Sequence, residues 1–509
     1  MTKMKINQSN RRRVFLDIDS LTQWDRGIFQ RFPQAEKIPI YGLEAGPIGS
    51  WDDGITSIWG TVIKETGLFR MWYWGQRLAS STQERADHPM VCYAESEDGI
   101  HWRKPDLKIT GQKRWPGNNL LTLPGAPMSF VRALPGTDAK YLAVTIVYPI
   151  PLERDVQDVP GNPDPLKGGH GTHIWASDDG LHWRHVTRVL AHGDWACLYA
   201  DRATDRYILY NKVPGMHGLT TRRMAIGLES RDGKHWEGYD GFRQWRETFV
   251  ADDYDDLIAQ QRGWLHAEIY GVGVYRAGEI LVSIESILNV GSPVRQMFGA
   301  NPMGLFHVRL GFSHDGFRWR YPKGRPVWMD IGEPGQQDAG CIVPSSTLVE
   351  DGDDLLFYYG GTTGDHCWSL NPDFSYRIDP AEEHGSCRVM MAKIKRDRFA
   401  SLASTYRDCF DVDADQRQGD GLCVNALARN GSVRVAIAEK YDHDLGTIRK
   451  HDHLPGFSFD DCVPIAGDHV HAPVQFRKAK VADIPVGTPI TLRFELSRAE
   501  VFGYEWGNG

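Results

Sequence analysis

Over the first 400 residues the chain alternates between short apolar runs and clusters of Gly, Asp and Pro. Met90-Val91-Cys92-Tyr93-Ala94 and Met224-Ala225-Ile226-Gly227-Leu228 are two such runs. Apolar segments of this length, bounded by turn residues, predict strands. Each of these runs leads into a recurring phrase. It reads Ser96-Glu97-Asp98-Gly99-Ile100-His101-Trp102, then Ser177-Asp178-Asp179-Gly180-Leu181-His182-Trp183. It returns as Ser230-Arg231-Asp232-Gly233-Lys234-His235-Trp236 and Ser313-His314-Asp315-Gly316-Phe317-Arg318-Trp319. Asp-Gly after a strand is a hairpin signal, because the turn needs a positive φ that Gly tolerates. The Trp gives each hairpin a large apolar anchor. A repeated β unit of this kind predicts a propeller.

The repeats set the count. A degraded fifth copy, Lys395-Arg396-Asp397-Arg398-Phe399, follows the strand Cys387 to Ala392. Upstream of each copy lies a second predicted hairpin. Blade one pairs Trp59–Ile63 with Leu68–Tyr73, and blade two pairs Phe130–Arg132 with Tyr141–Val144. Blade three pairs Cys197–Tyr199 with Tyr207–Tyr210, and blade four pairs Val272–Tyr275 with Ile280–Ser283. Blade five pairs Ser346–Val349 with Leu355–Tyr359. The expectation is an all-β chain: a five-bladed β-propeller over residues 41–400, preceded by an N-terminal extension, 1–40, that packs on it. Past residue 400 the phrase stops. Leu422–Ala426, Ser432–Ala438 and Ile490–Leu496 alternate with period two, and Phe457–Cys462 and Val501–Tyr504 fit strand edges. These predict a C-terminal β-sandwich over 401–509.

Composition agrees with a well-cored, turn-rich protein: 41% hydrophobic, 11% aromatic, 53 Gly and 28 Pro. A net charge of −8 argues against nucleic acid as a partner. No apolar run reaches the length of a membrane span. Met1 to Arg13 is polar and basic, unlike a signal peptide, so a cytoplasmic location is expected unless a leader was removed. The eight Cys form no CxxC pair and read as buried thiols. No cofactor or metal is expected, and homo-oligomerisation stays open.

Five blades carrying Ser-x-Asp-Gly-x-x-Trp hairpins, followed by a C-terminal β-sandwich, resemble the glycoside hydrolase superfamily of families 32, 43 and 68. The resemblance spans residues 40 to 509 and implies a glycosidase with a carbohydrate substrate. The phrase is one residue shorter than the Asp-box of sialidases. Family 32 usually opens blade one with a Trp-Met-Asn-Asp-Pro-Asn-like stretch; here that place reads Ser50-Trp51-Asp52-Asp53-Gly54. The Arg-Asp-Pro of blade two and the Glu-Cys of blade three are absent from those blades. Residue roles therefore come from position in the fold.

In a propeller the innermost strand of each blade lines a central channel, and its start opens on the binding face. Acids at these starts are Asp52 and Asp53 in blade one, Asp194 in blade three, Glu268 in blade four and Asp338 in blade five. Aligning Thr61-Val62-Ile63 with Thr347-Leu348-Val349 places Asp52 on Asp338. Glycoside hydrolysis needs one carboxyl protonated to donate to the leaving oxygen and one ionised as base or nucleophile. A third acid raises the donor's pKa. Blades four, five and one are neighbours in a closed ring. The expected assignment is Glu268 as general acid, Asp52 as base or nucleophile with Asp53 the alternative, and Asp338 as modulator or substrate clamp. Trp51, Trp195 and Tyr270 offer flat faces to a sugar. Asp53, Asp194, His266 and Arg309 offer hydrogen bonds to it. The acidic run Asp252–Asp256 reads as a solvated loop or a helix start.

His266, His307, His366 and His384 fall in blades four and five and open an alternative. It is a polysaccharide lyase with a His or Tyr base, cleaving uronic-acid chains by β-elimination. A non-catalytic sugar-binding propeller is a third reading. The insertions Arg154 to Gly171 and Ser292 to Met303 are expected to wall the pocket, favouring small oligosaccharides or chain ends. Furanosides such as a fructoside or arabinofuranoside are the favoured substrates.

Overall fold

The computed structural model describes residues 11–77, 89–111, 113–147, 169–191, 193–217, 220–238, 247–291, 304–366, 385–440 and 453–507. Strand is its commonest element and helix is scarce. Three separate four-stranded meanders run in chain order. One holds Ala126–Arg132, Tyr141–Val147, Gly171–Ser177 and Arg184–Leu190. The next holds Ala196–Asp201, Arg206–His217, Thr220–Ser230 and Glu247–Phe249. Another holds His266–Ala277, Ile280–Val290, Gly304–Ser313 and Val327–Asp330. The first and last repeats are fused into one sheet of nine strands. The first repeat gives it Ile55–Glu65, Leu68–Gln76, Met90–Ser96 and Trp102–Arg103. The last gives Cys341–Pro344, Val349–Asp351, Asp354–Thr362 and Cys387–Lys395.

The seam between them is a parallel pairing of Cys387 and Arg388 with Ile55 and Thr56. The outer strand of the last repeat, Glu36–Ile38, comes from far upstream and pairs with Met391 to Lys393. This explains the degraded fifth phrase. In the other four repeats the phrase is the hairpin from third to fourth strand. The last repeat takes its fourth strand from residues 36–38 and has no such hairpin to close. There the positive φ, 63°, falls on Asp397, one residue before the place that Gly takes in the intact copies.

The first strands of the repeats abut one another. Phe130 N–H donates to Thr61 Oγ1 at 2.7 Å, and Ser129 Oγ donates to the carbonyl of Leu198 at 2.9 Å. Ser346 gathers three repeats: its carbonyl accepts from Val274 N–H and from the Cys197 thiol, and its N–H donates to Gly60 O at 3.1 Å. Its hydroxyl meets Thr61 Oγ1 at 2.5 Å. Ser346–Val349 was expected as a strand. Instead the strand breaks between Pro344 and Val349, which frees Ser346 to turn to its neighbours.

Each phrase is also a latch. In all four copies the Asp Oδ1 accepts from the N–H groups two and three residues on, and the Ser hydroxyl takes the Gly N–H. The Gly residues have φ between 74° and 80°. In the first, second and fourth copies a turn carbonyl is then held by the preceding repeat. Trp72 Nε1 donates to Gly180 O at 2.8 Å and Arg70 to Asp179 O at 2.6 Å. Tyr210 OH donates to Gly316 O, and Tyr358 OH to Gly99 O, both at 2.8 Å.

The C-terminal strands form one seven-stranded sheet. Ser401–Gln416, Gly421–Glu439, Ile465–Pro473 and Pro489–Gly507 supply its body. Arg12–Val14, Leu21–Trp24 and Phe29–Arg31 add its remaining strands. Leu422–Ala426 and Ser432–Ala438, read as two strands, are one strand whose register shifts between Leu427 and Ser432. Gly431 sits in that shift, where a Cβ would lie 1.8 Å from Ser497 O. Phe457–Cys462 is not strand but turn, with Phe457 buried in the sheet's core. Phe410 and Phe494 stack there at 4.8 Å, with Phe15 edge-on. Residues 12–16 serve two cores by alternation. Phe15 enters the C-terminal core, while Val14 and Leu16 join the core of the fourth and fifth repeats.

Asp253–Gln261 is a helix, capped by Asp252 with a capping box to Asp255. Among the described residues no helix is long and apolar enough to cross a membrane.

Candidate active site

Neighbouring strands of the third and fourth repeats bring a row of alternating charges to the starts of the first strands. Asp194 stands just before Ala196–Asp201. Lys212 faces Ala225 across the sheet and Arg223 lies two residues from Ala225, so alternation puts both cations on one face. Lys212 Nζ pairs with Asp194. It also sits 4.4 Å from the centre of the Tyr270 ring, and the Arg223 guanidinium lies 5.5 Å from the same ring. Arg223 Nη1 binds Glu268 Oε2 at 2.5 Å, and His266 Nε2 lies 3.2 Å from Glu268 Oε1. The Glu268 side chain is 1% exposed, whereas that of Asp194 is 53% exposed.

Burial pushes the Glu268 carboxyl up, but the His266 hydrogen bond and the Arg223 charge outweigh it and leave the group below its ordinary range. Asp194 is likewise lowered: burial works against ionisation, and Lys212 and Arg223 override it. Burial pulls the Lys212 ammonium down, and Asp194 only partly restores it. Both carboxylates are thus ionised near neutral pH.

Rings surround this row. Trp59 meets Tyr270 edge-on at 5.7 Å and Trp74 at 5.1 Å. Phe306 and His366 lie 4.9 and 5.0 Å from Tyr270. His366 is brought in by its N–H bond to Gly304 O. Four repeats therefore contribute to one cluster of side chains.

Of the expected residues, Asp194, Glu268, His266 and Tyr270 meet here. Glu268, expected as the proton donor, is paired with Arg223 and His266, which favour its ionised form. Asp52 and Asp338 do not join Glu268. Asp52 is 1% exposed and turned onto its own repeat, bound to Lys104 Nζ at 2.6 Å and to Tyr73 OH at 3.2 Å. Asp338 repeats that arrangement, with Lys37 Nζ at 2.6 Å and Tyr359 OH at 2.9 Å. The equivalence extends to the backbone. Gly46 N–H reaches Asp52 O and Gly54 N–H reaches Gln76 O; Gly332 and Gly340 do the same to Asp338 O and Thr362 O. Both acids are buried and ion-paired in matching turns.

The other expected contacts separate in the same way. Asp53 accepts the Gly49 N–H at 2.6 Å and is buried. Trp51 packs edge-on against Trp115, and Trp195 is buried against Gly271. Arg309 is 2% exposed between Glu285 and Asp255, with its Nε 2.9 Å from Glu285, and fastens the helix to its sheet. Its guanidinium, expected to meet substrate, is paired with these two acids, and Asp255 is buried rather than solvated. Burial, with Arg262 and Arg309 nearby, pushes His307 down to about 3, so it is neutral. His384 and nearly all of the insertions 154–171 and 292–303 lie outside the described residues. Among the described residues no group of three or more His, Cys, Asp or Glu is placed to hold a metal ion.

Sequence reasoning missed Lys212, Arg223 and Trp59. A usable signal was present: Lys212 closes the apolar run Tyr207–Tyr210, and Arg223 precedes Met224–Leu228, where an unpaired cation would be costly.

No protein-family model matches the chain, and no curated protein matches it. Solved structures that it resembles include one from the GH130 family of mannoside phosphorylases, described as containing glycoside hydrolases that target β-1,2 mannosidic linkages in Candida mannan. Identity is 13%, the TM-score 0.44, and the match covers 72% of this chain and 94% of that one. An N-acetylgalactosamine deacetylase from F. plautii, in complex with blood group B trisaccharide, matches with 14% identity and TM-score 0.43, covering 71% and 95%. A family 117 glycoside hydrolase of the marine bacterium Zobellia galactanivorans matches with 12% identity and TM-score 0.39, covering 71% and 90%.

Proposed function

We propose that the chain is a glycoside hydrolase whose site lies where Asp194 and Glu268 converge. In this reading the five repeats are the blades of a propeller, residues 41–400, and the bent C-terminal sheet, 401–509, folds over as a sandwich. The observation that carries it is the interleaving of two ionised carboxylates with Lys212 and Arg223 around Tyr270. Asp194, the exposed member, is the base or nucleophile. The rings of Tyr270, Trp59 and Trp74 supply apolar faces for a sugar. Small oligosaccharides or chain ends, with furanosides first, are the substrates to try.

The test is a panel of furanosides, pyranosides and uronides with product analysis by NMR. The expected result is release of a reducing sugar, and Asp194→Asn should lower kcat/KM at least on the order of 100-fold. A wild-type protein that cleaves no glycosidic bond would overturn the reading. A second reading, β-elimination of a uronide, is favoured by one observation: two cations lie within 5.5 Å of the Tyr270 ring centre, and His366 lies against the ring. Its signature is an unsaturated product absorbing in the ultraviolet.

A further inference from the structure

Hydrolysis needs a proton donor for the leaving oxygen, and neither carboxylate of the site is protonated. Glu268 is also fully committed: Oε2 is held by Arg223 and Oε1 by His266, with 1% of its side chain exposed. To act on a substrate it would have to surrender a buried guanidinium, which costs several kcal/mol. His266 is placed differently. It opens the strand His266–Ala277, and its side chain keeps 23% exposure. A carboxylate only accepts, so Nε2 must be the donor to Glu268. Nδ1 is then the nitrogen whose proton comes and goes, and among the described residues it has no hydrogen-bond partner. A buried carboxylate behind an imidazole fixes the ring's tautomer and orientation.

We propose that His266 is the proton donor of the reaction, with Glu268 its positioning residue and Asp194 the base. This rests on the glycosidase reading. As the glycosidic C–O bond breaks, its electron pair stays on the leaving oxygen, which takes the proton from His266 Nδ1. A water oxygen bonds to the anomeric carbon, and Asp194 takes the proton that water loses. Solvent then reprotonates His266 and receives the proton from Asp194, so the net change is addition of one water.

The experiment compares two leaving groups on the full chain: an alkyl glycoside, which needs an acid, and a 2,4-dinitrophenyl glycoside, which does not. His266→Gln should lose about 100-fold or more on the alkyl glycoside and only a few-fold on the dinitrophenyl one. The alkaline limb of its kcat/KM profile should vanish. His266→Ala, assayed with added imidazole, should regain alkyl-glycoside turnover. Glu268→Gln should keep the donor but lower turnover of the alkyl glycoside more than that of the dinitrophenyl one, which a merely structural role would not do. Equal losses by His266→Gln on both leaving groups, or wild-type turnover on both, would overturn the assignment. If wild-type protein turns over neither glycoside, the glycosidase reading itself falls, and this one with it.

Discussion

At the scale of single residues, two kinds of acid share one sequence signature. Asp52, Asp338, Asp194 and Glu268 all stand at strand starts near Gly or apolar neighbours. Their environments separate them. Lys104 and Lys37 close over Asp52 and Asp338, and Lys37 comes from a strand some 300 residues away in sequence. Local spacing cannot reveal such a partner. The Asp52–Asp338 alignment was legible because it reflects a real equivalence of turns; that both acids are buried in ion pairs was not. Lys104→Met should therefore strand a buried carboxylate and cost about 3–5 kcal/mol, measured by urea unfolding, without a specific effect on kcat.

Acid should weaken the site's own carboxylates. A group whose pKa falls on folding contributes stability wherever it is ionised in both states. For Glu268 and Asp194 that contribution is whole above the ordinary values of 4.5 and 3.8, and it is lost as pH falls through the lowered folded values. The difference in melting temperature between wild type and Glu268→Gln should be widest near neutrality and close as the pH drops below 4.5. Asp397 behaves with the opposite sign. Burial pushes it up to about 6, against the Arg12 guanidinium 3.3 Å away, so ionising it costs stability as pH rises from about 4 to about 6. Asp397→Asn should flatten the pH dependence of unfolding in that window.

At the scale of elements, the recurring phrase was the most legible feature, and its turn chemistry is as expected. Its second role was hidden, because the donors to the turn carbonyls, Trp72, Arg70, Tyr210 and Tyr358, sit on other repeats. Asp179→Ala removes the acceptor for two backbone N–H groups and should lower stability by about 1 kcal/mol. Turnover should not change, since the turn shares no partner with Glu268. Loss of activity at unchanged melting would contradict this. Strand boundaries were less legible. His266–Ala277 begins six residues before the expected Val272, because pairing continues through Glu268 and Ile269, with a register shift at Tyr270. The polar and aromatic residues that blur the apolar pattern there are the ones the candidate site uses.

At the scale of the whole molecule, the N-terminal residues hold the two bodies together. Phe15 fills one core while Val14 and Leu16 fill the other. Phe15→Ala should cost about 3–5 kcal/mol and lower the melting of both bodies together, followed by scanning calorimetry. The extension was expected to pack on the propeller; that residues 12–31 would also complete a second sheet was invisible, since strands of three or four residues carry almost no periodicity.

The strand Glu36–Ile38 has a consequence in time. It waits for Met391 to Lys393, so during synthesis the last repeat stays unfinished for roughly 20–70 s at about 5–20 residues per second. Through that interval the edge of Ile55–Glu65 that Cys387 and Arg388 will cover is open to any other strand. The cell's speed of translation, and whatever shields that edge meanwhile, thus bear on how much of this chain reaches its closed form.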